Sequence, residues 1–295
     1  MVRVISRRTD AGIQVFDESL EPLRVFPLPE FAGSWSISSG RDSLVYATCD
    51  EVVRLGPDGG EQWRFEFDPP GPGGETNMSD ATFSADDSLV WVYAPSLLSG
   101  RAETDEWIVL DAATGEPRGR LPIATAGQGG QQFPLGDGRM MLDVGEGQDG
   151  SRIFLASPGD NVHDYGWDDR VLIDVAPGRR QFMTVDHQGQ EDVILHAFPG
   201  GETLFRLAVA DFGEDPEIGV VEWTGGYLDD ETAVVVVYGE DEDTGGPWWR
   251  HYRVDTRSGK VLGDLGIVTI DETDLEPLGD GTYLITDTDG TLRRM

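Results

Sequence analysis

One pairing recurs along the whole chain: a short turn of Gly, Asp and Ser, followed at once by an apolar strand. The turns read SSGRDS, SADDS, LGDGR, APGRRQ, LDDET and LGDGT, and the strands after them open at Leu44, Leu89, Met140, Phe182, Ala233 and Tyr283. Successive openings lie 45, 51, 42, 51 and 50 residues apart. The mean, about 48, is the period of a four-stranded antiparallel blade, the unit of a β-propeller. Helical signals are nearly absent, since no run of 11 or more residues carries apolar side chains at i, i+3, i+4 and i+7. The expectation is an all-β fold, a single β-propeller domain spanning residues 1–295. The 43 residues before Leu44 and the 12 after Tyr283 together make about one more period, which favours six blades with the last shared between the two termini. Seven blades is the alternative, because Val2 to Ile5, Ile13 to Phe16, Leu23 to Phe26 and Thr291 to Arg294 all read as extended, one strand more than six blades need.

Several of these units end in a strand that finishes in Asp and passes through a turn carrying Thr or Ser before Gly. Val109 to Leu121 reads VLDAATGEPRGRL, Arg253 to Leu265 reads RVDTRSGKVLGDL, and Arg54 to Phe65 reads RLGPDGGEQWRF as a degenerate version. An Asp followed by Gly supplies the left-handed turn that joins two antiparallel strands. These segments resemble the outer-strand turns of bacterial WD40-like and quinoprotein (PQQ)-like propellers. The Gly-His pair and the Trp-Asp dipeptide of true WD40 blades are missing at matching positions, so the resemblance implies a fold and carries no activity with it.

The charge excludes some partners. A formal net charge of −33 repels phosphate backbones, whose affinity for proteins comes from Lys and Arg, so direct nucleic-acid binding is not expected. The longest apolar run, Ala233 to Tyr238, is far short of a membrane span. The opening MVRVISRRTD has no apolar export segment, and Cys49 is the sole cysteine, which rules out an internal disulfide; a cytoplasmic location is expected. Lys260 is the only lysine, so nearly all positive charge is arginine.

Catalytic motifs are scarce. Gly145 to Gly150 spells GxGxxG, but no helix follows to receive a pyrophosphate and Glu146 and Asp149 would repel one, so it reads as a hairpin turn. Thr286 to Gly290 resembles the start of a calcium loop without its later ligands and also reads as a turn. His163, His187, His196 and His251 show no metal-ligand spacing, and no GxSxG elbow occurs. Inner strands of a propeller line a channel, and Asp80, Asp174, Glu222 and Glu276 fall on such strands. Converging there, they would form a calcium site of the kind six-bladed lactonase-like enzymes use; otherwise no cofactor is expected.

Two surface features suit a protein partner. Gly239 to Pro247 reads as a nine-residue hairpin loop with the acids Glu240, Asp241, Glu242 and Asp243, followed by Trp248 and Trp249. Arg3, Arg7, Arg8, Arg293 and Arg294 would form a basic patch if one blade joined both termini. The leading functional expectation is a noncatalytic interaction scaffold or adaptor that presents its rim loops to another protein, for which the acidic hairpin would suit a basic partner. The alternatives are a metal-dependent hydrolase or lactonase-like enzyme at the channel mouth, and an acidic decoy for a basic protein.

Overall fold

The structure is a computed structural model and describes residues 3–67, 79–159, 161–241 and 244–295. Its strands form seven antiparallel sheets, the blades of a seven-bladed β-propeller. Chain contacts divide these into two units, Val4–Asp168 and, together with Arg3, Asp169–Met295.

Four blades lie in the Val4–Asp168 unit. The first has strands Ser6–Thr9, Gly12–Phe16 and Pro22–Phe26; the second has Ser34–Ile37, Leu44–Ala47, Glu51–Leu55 and Glu61–Glu66. The third runs Asp80–Phe83, Leu89–Ala94, Asp105–Asp111 and Pro117–Ile123, and the fourth Gly129–Pro134, Met140–Gly145, Ser151–Ala156 and His163–Asp164. Opening strands of neighbouring blades lie against one another, which makes them the inner strands.

In the second, third and fourth blades the second strand is buried on both faces, which is why it reads as a largely apolar run. In the third blade Val90 and Val92 pack toward the second, against Val45, Val52 and Trp63. Trp91 and Tyr93 alternate to the other face and meet Met140, Leu142 and Val144 of the fourth. Each fully buried side chain of this kind stabilises the fold by about 2 kcal/mol.

Three blades lie in the other unit. The fifth has Arg170–Val175, Gln181–Asp186, Asp192–Ala197 and Thr203–Ala208; the sixth has Gly219–Tyr227, Thr232–Glu240, Pro247–Asp255 and Val261–Asp264; the seventh has Leu275–Pro277, Tyr283–Thr286 and Leu292–Arg294. The same alternation holds: Val235 and Val237 pack toward the fifth blade, Val234 and Val236 toward the seventh.

The Asp-x-x-Thr/Ser-Gly turns are built as their chemistry requires. Asp111 Oδ1 accepts hydrogen bonds from the amides of Ala113 and Thr114 and from Thr114 Oγ1. Asp255 Oδ1 does the same with Arg257, Ser258 and Ser258 Oγ. Gly115 and Gly259 follow at φ +74° and +67°, and a Cβ there would lie 2.7 Å from Trp63 and 2.6 Å from Phe205. The turn therefore needs glycine twice over, for its left-handed backbone and for the aromatic of the preceding blade that covers it.

Six blades was the favoured count, and seven is observed. The strands expected at Leu44, Leu89, Met140, Phe182, Ala233 and Tyr283 are the second strands of the second to seventh blades. The remaining blade comes from residues before Leu44. In the four-stranded second, third, fifth and sixth blades a β-bulge interrupts the pairing of third and fourth strands, at Arg54/Leu55, Val109/Leu110, Leu195/His196 and Arg253/Val254. The first sheet has the same bulge, at Val15/Phe16, between its last two strands, so its strands correspond to the second, third and fourth of a blade. The seventh sheet opens with an inner strand set against that of the sixth and stops at its third strand.

Among the described residues no sheet holds strands from both termini, as a shared closing blade would require. Two periods fit where one was expected because, among the described residues, each terminal blade has three strands. The arginines expected to form a basic patch are engaged locally: Arg3 with Asp174, Arg293 with Asp287, Arg294 with Asp280, and Arg8 with the carbonyls of Glu30 and Ala32.

The Gly145–Gly150 segment closes a hairpin through a short 3-10 turn, Gly147–Asp149. No helix among the described residues is long and apolar enough to cross a membrane.

Candidate functional site

The four acids singled out for metal binding have different surroundings. Asp80 opens the inner strand of the third blade and accepts hydrogen bonds from Gln132 Nε2 at 2.5 Å and Thr82 Oγ1 at 3.2 Å. Gln132 is itself fixed, its Oε1 accepting from Trp107 Nε1 at 2.7 Å. Burial pushes the Asp80 carboxyl above its ordinary pKa, and these hydrogen bonds work against that rise.

Asp174, on the inner strand of the fifth blade, is fully buried. It pairs with the Arg3 guanidinium and accepts from the amides of Val175 and Tyr227, both at 2.7 Å. Its pKa is raised by burial, with Arg3 opposing. Arg3 also donates to the carbonyl of Pro277 on the inner strand of the seventh blade, so the ion pair ties three blades of one unit together. Glu276 is half-buried beside the buried Leu275 and Pro277. Among the described residues no group of three or more His, Cys, Asp or Glu gathers as a metal site.

Glu222 has different company. The inner strand of the sixth blade pairs with the second strand through Val221↔Val237 and resumes at Gly225↔Val235. Glu222, Trp223 and Thr224 thus stand opposite Val236 alone, a three-residue bulge. Gly225 and Gly226, at φ +112° and +136°, return the chain to register. A Cβ on Gly225 would lie 2.4 Å from the Val234 carbonyl, and one on Gly226 2.4 Å from Asp174 Oδ2.

The bulge lifts Trp223 into solvent with 47% of its surface exposed. The ring is nonetheless fixed: its Nε1 donates to the Asp186 carbonyl at 3.1 Å, and it stacks on His187 at 5.4 Å between centroids. Glu222 beside it is held by Gln190 Nε2 at 3.4 Å, and Gln190 is anchored by a backbone bond from Val221.

Carboxylates crowd this region. The Glu222 pKa is raised, by burial first and then by the negative charge of Asp271. Asp271 and Glu272 share a hydrogen bond that holds the first low and the second high. The Tyr238 hydroxyl is pushed up by burial and then by Glu240, Glu272 and Glu222 in turn. Glu222, Asp271 and Glu272 thus act electrostatically on one another, whereas Glu240, which the sequence places on the rim hairpin, joins Glu222 and Glu272 only in acting on Tyr238. No Lys or Arg forms an ion pair with these four among the described residues, whereas the turn acids Asp111 and Asp287 have Arg118 and Arg293. Trp223 was missed, though the string Glu222-Trp223-Thr224-Gly225-Gly226, a large aromatic before two glycines, marks the bulge in retrospect.

The expected nine-residue hairpin connection is shorter than the sequence suggested. The second and third strands of the sixth blade extend to Glu240 and from Pro247. Asp241 Oδ1 accepts from the amide and hydroxyl of Thr244, both at 2.8 Å, repeating the blade-turn motif. Glu242 and Asp243 lie outside the described residues. Trp248 packs toward the fifth blade, 5.0 Å from the Arg250 guanidinium, and Trp249 packs toward the seventh with its Nε1 on Thr269 Oγ1 at 2.8 Å. The two indoles thus occupy opposite faces of one sheet.

No family model matches the chain, and no curated protein does. Solved structures do. A Desulfotomaculum acetoxidans protein of unknown function aligns with 99% of this chain and 91% of its own, at 13% identity and a TM-score of 0.57. Hydrazine synthase from Kuenenia stuttgartiensis aligns over 90% and 76%, at 12% identity and a TM-score of 0.59. The WD40 β-propeller domain of Doa1 aligns over 99% and 88%, also at 12% identity and a TM-score of 0.59. At these identities the likeness establishes the fold, a β-propeller similar to the WD40 type, and the fold alone.

Proposed function

We propose that the protein is a noncatalytic interaction scaffold whose partner is a basic protein, met at the acidic face of the sixth blade. One observation carries this reading: Glu222, Asp271 and Glu272 act on one another with no ion pair to a Lys or Arg among the described residues, beside an exposed and fixed tryptophan. Like charges held together raise the free energy of the unbound state, and a cationic surface relieves it. Asp80 and Asp174, the buried acids among the metal-site candidates, are engaged in hydrogen-bond and ion-pair contacts between blades. Glu240, at the end of the second strand, adds its charge to the same blade. A cytoplasmic setting suits the single reduced thiol of Cys49.

The test is affinity purification of the tagged full chain from its host, with mass spectrometry of what is retained. A basic protein recovered in near-equimolar amount, and released by raised salt, supports the reading. Recovery of the chain alone, or with an acidic partner that resists salt, overturns it.

A further inference from the structure

We propose that the Glu222–Thr224 bulge is an arginine-binding site, in which the Trp223 face left open by His187 takes a guanidinium plane from the partner while the neighbouring carboxylates hold its edge. This deepens the scaffold reading and rests on it. Three independent features converge on the bulge. The chain leaves sheet register for three residues and spends two left-handed glycines to return, so Trp223 is displayed at the cost of regular pairing. The indole is half-exposed yet immobilised by a hydrogen bond and a ring stack, so little side-chain entropy remains to be lost on binding. Glu222 flanks it in the same bulge, its side chain held by Gln190 and in no ion pair among the described residues, and the negative charge of Asp271 acts on it.

An apolar occupant would leave these carboxylates desolvated without compensation, and an anionic one would be repelled. Between the two common cations, the site favours arginine. A guanidinium is planar, stacks on an indole and offers several donors to carboxylates at once, whereas an ammonium is a compact, strongly hydrated charge.

The probe is a synthetic (Gly-Arg)6 peptide, compared with (Gly-Lys)6, titrated into the full chain at about 0.15 M salt, where remote surface charges are screened beyond about 8 Å. The peptide should bind saturably and more tightly than its lysine counterpart. Trp223→Ala should weaken it about tenfold, and the pair Glu222→Gln with Glu272→Gln should weaken it comparably. Glu21→Gln with Glu30→Gln, removing two exposed acids of the other unit, should have little effect. Thermal melts confirm that each variant is folded, and the carboxylate pair keeps the test decisive should Trp223→Ala disturb the strand.

Equal binding of the two peptides, or equal losses from the two carboxylate pairs, would overturn the arginine site. A basic protein that co-purifies with Trp223→Ala as well as with the unaltered chain would also overturn it, leaving the scaffold reading intact.

Discussion

His196 should make the fifth blade acid-sensitive in a pH range where most carboxylates are still charged. Its ring is buried on the third strand of that blade, stacked on Phe182 at 4.8 Å. Nδ1 lies 3.0 Å from the Gly201 carbonyl and Nε2 2.9 Å from Thr184 Oγ1. The carbonyl can only accept, so Nδ1 carries the proton of the neutral ring and Nε2 receives the threonine hydroxyl. Thr184 Oγ1 in turn accepts from Nε of the buried Arg170, whose Nη1 donates to Asp192 at 2.7 Å. A second proton on His196 would have to enter this closed network next to a guanidinium.

The His196 pKa is pushed down to about 4, by burial first, with the charge of Arg170 adding and the Gly201 carbonyl opposing. The unfolded chain, with an ordinary imidazole near 6.5, therefore binds more protons than the folded one between about pH 6.5 and 4. The stability His196 permits is complete above that window and is lost as pH falls through it. One pKa unit corresponds to 1.36 kcal/mol, so the loss between pH 7 and 5 is about 2 kcal/mol, rising to roughly 3 kcal/mol near pH 4. Urea unfolding at pH 7, 6 and 5, for the unaltered chain and for His196→Gln, isolates this contribution. The pH-dependent loss should be smaller in the variant by about 2 kcal/mol at pH 5. Equal losses in both proteins would refute the argument that the imidazole is held neutral.

Three further outcomes follow from the same geometry. Arg3→Met strips the fully buried Asp174 of its cation and should cost roughly 3 kcal/mol, much of it recovered in the double variant with Asp174→Asn, as a double-mutant cycle in chemical denaturation would show. His251 is buried with neither ring nitrogen hydrogen-bonded among the described residues, so His251→Leu should raise stability by about 1 kcal/mol, seen as a higher melting temperature. Calcium should leave the melting temperature unchanged; a rise growing with calcium concentration and abolished by Asp174→Asn and Glu222→Gln would favour a metal-dependent enzyme instead.

The sequence exposes the architecture where burial is two-sided. Six second strands announce themselves because residues such as Val234 to Val237 must face apolar neighbours on both sides, and each follows a turn whose Asp or Gly has a backbone task. The seventh second strand, Ser6–Thr9, is polar and has no such turn before it, so the periodicity passes over it and the blade count comes out one short. The site was harder to read. A bulge depends on how two strands pair, and Glu222-Trp223-Thr224-Gly225-Gly226 alone resembles a loop between strands. Glu222 and Glu240 both act on Tyr238 only because two strands distant in sequence pair around it, at Val220↔Tyr238 and Val221↔Val237. Trp248 and Trp249 looked like one binding edge, but adjacent strand residues point to opposite faces and their indoles are divided between two cores.

The central claim is that charge at the sixth blade recruits a basic protein. Its most direct test is the association rate of the co-purified partner, measured at several salt concentrations for the unaltered chain and for a variant with Glu222→Gln, Glu240→Gln and Glu272→Gln. The account predicts that association with the unaltered chain slows steeply with salt, and that the triple variant associates more slowly at low salt with a shallower salt dependence. The same rates and the same salt dependence in both proteins would contradict it.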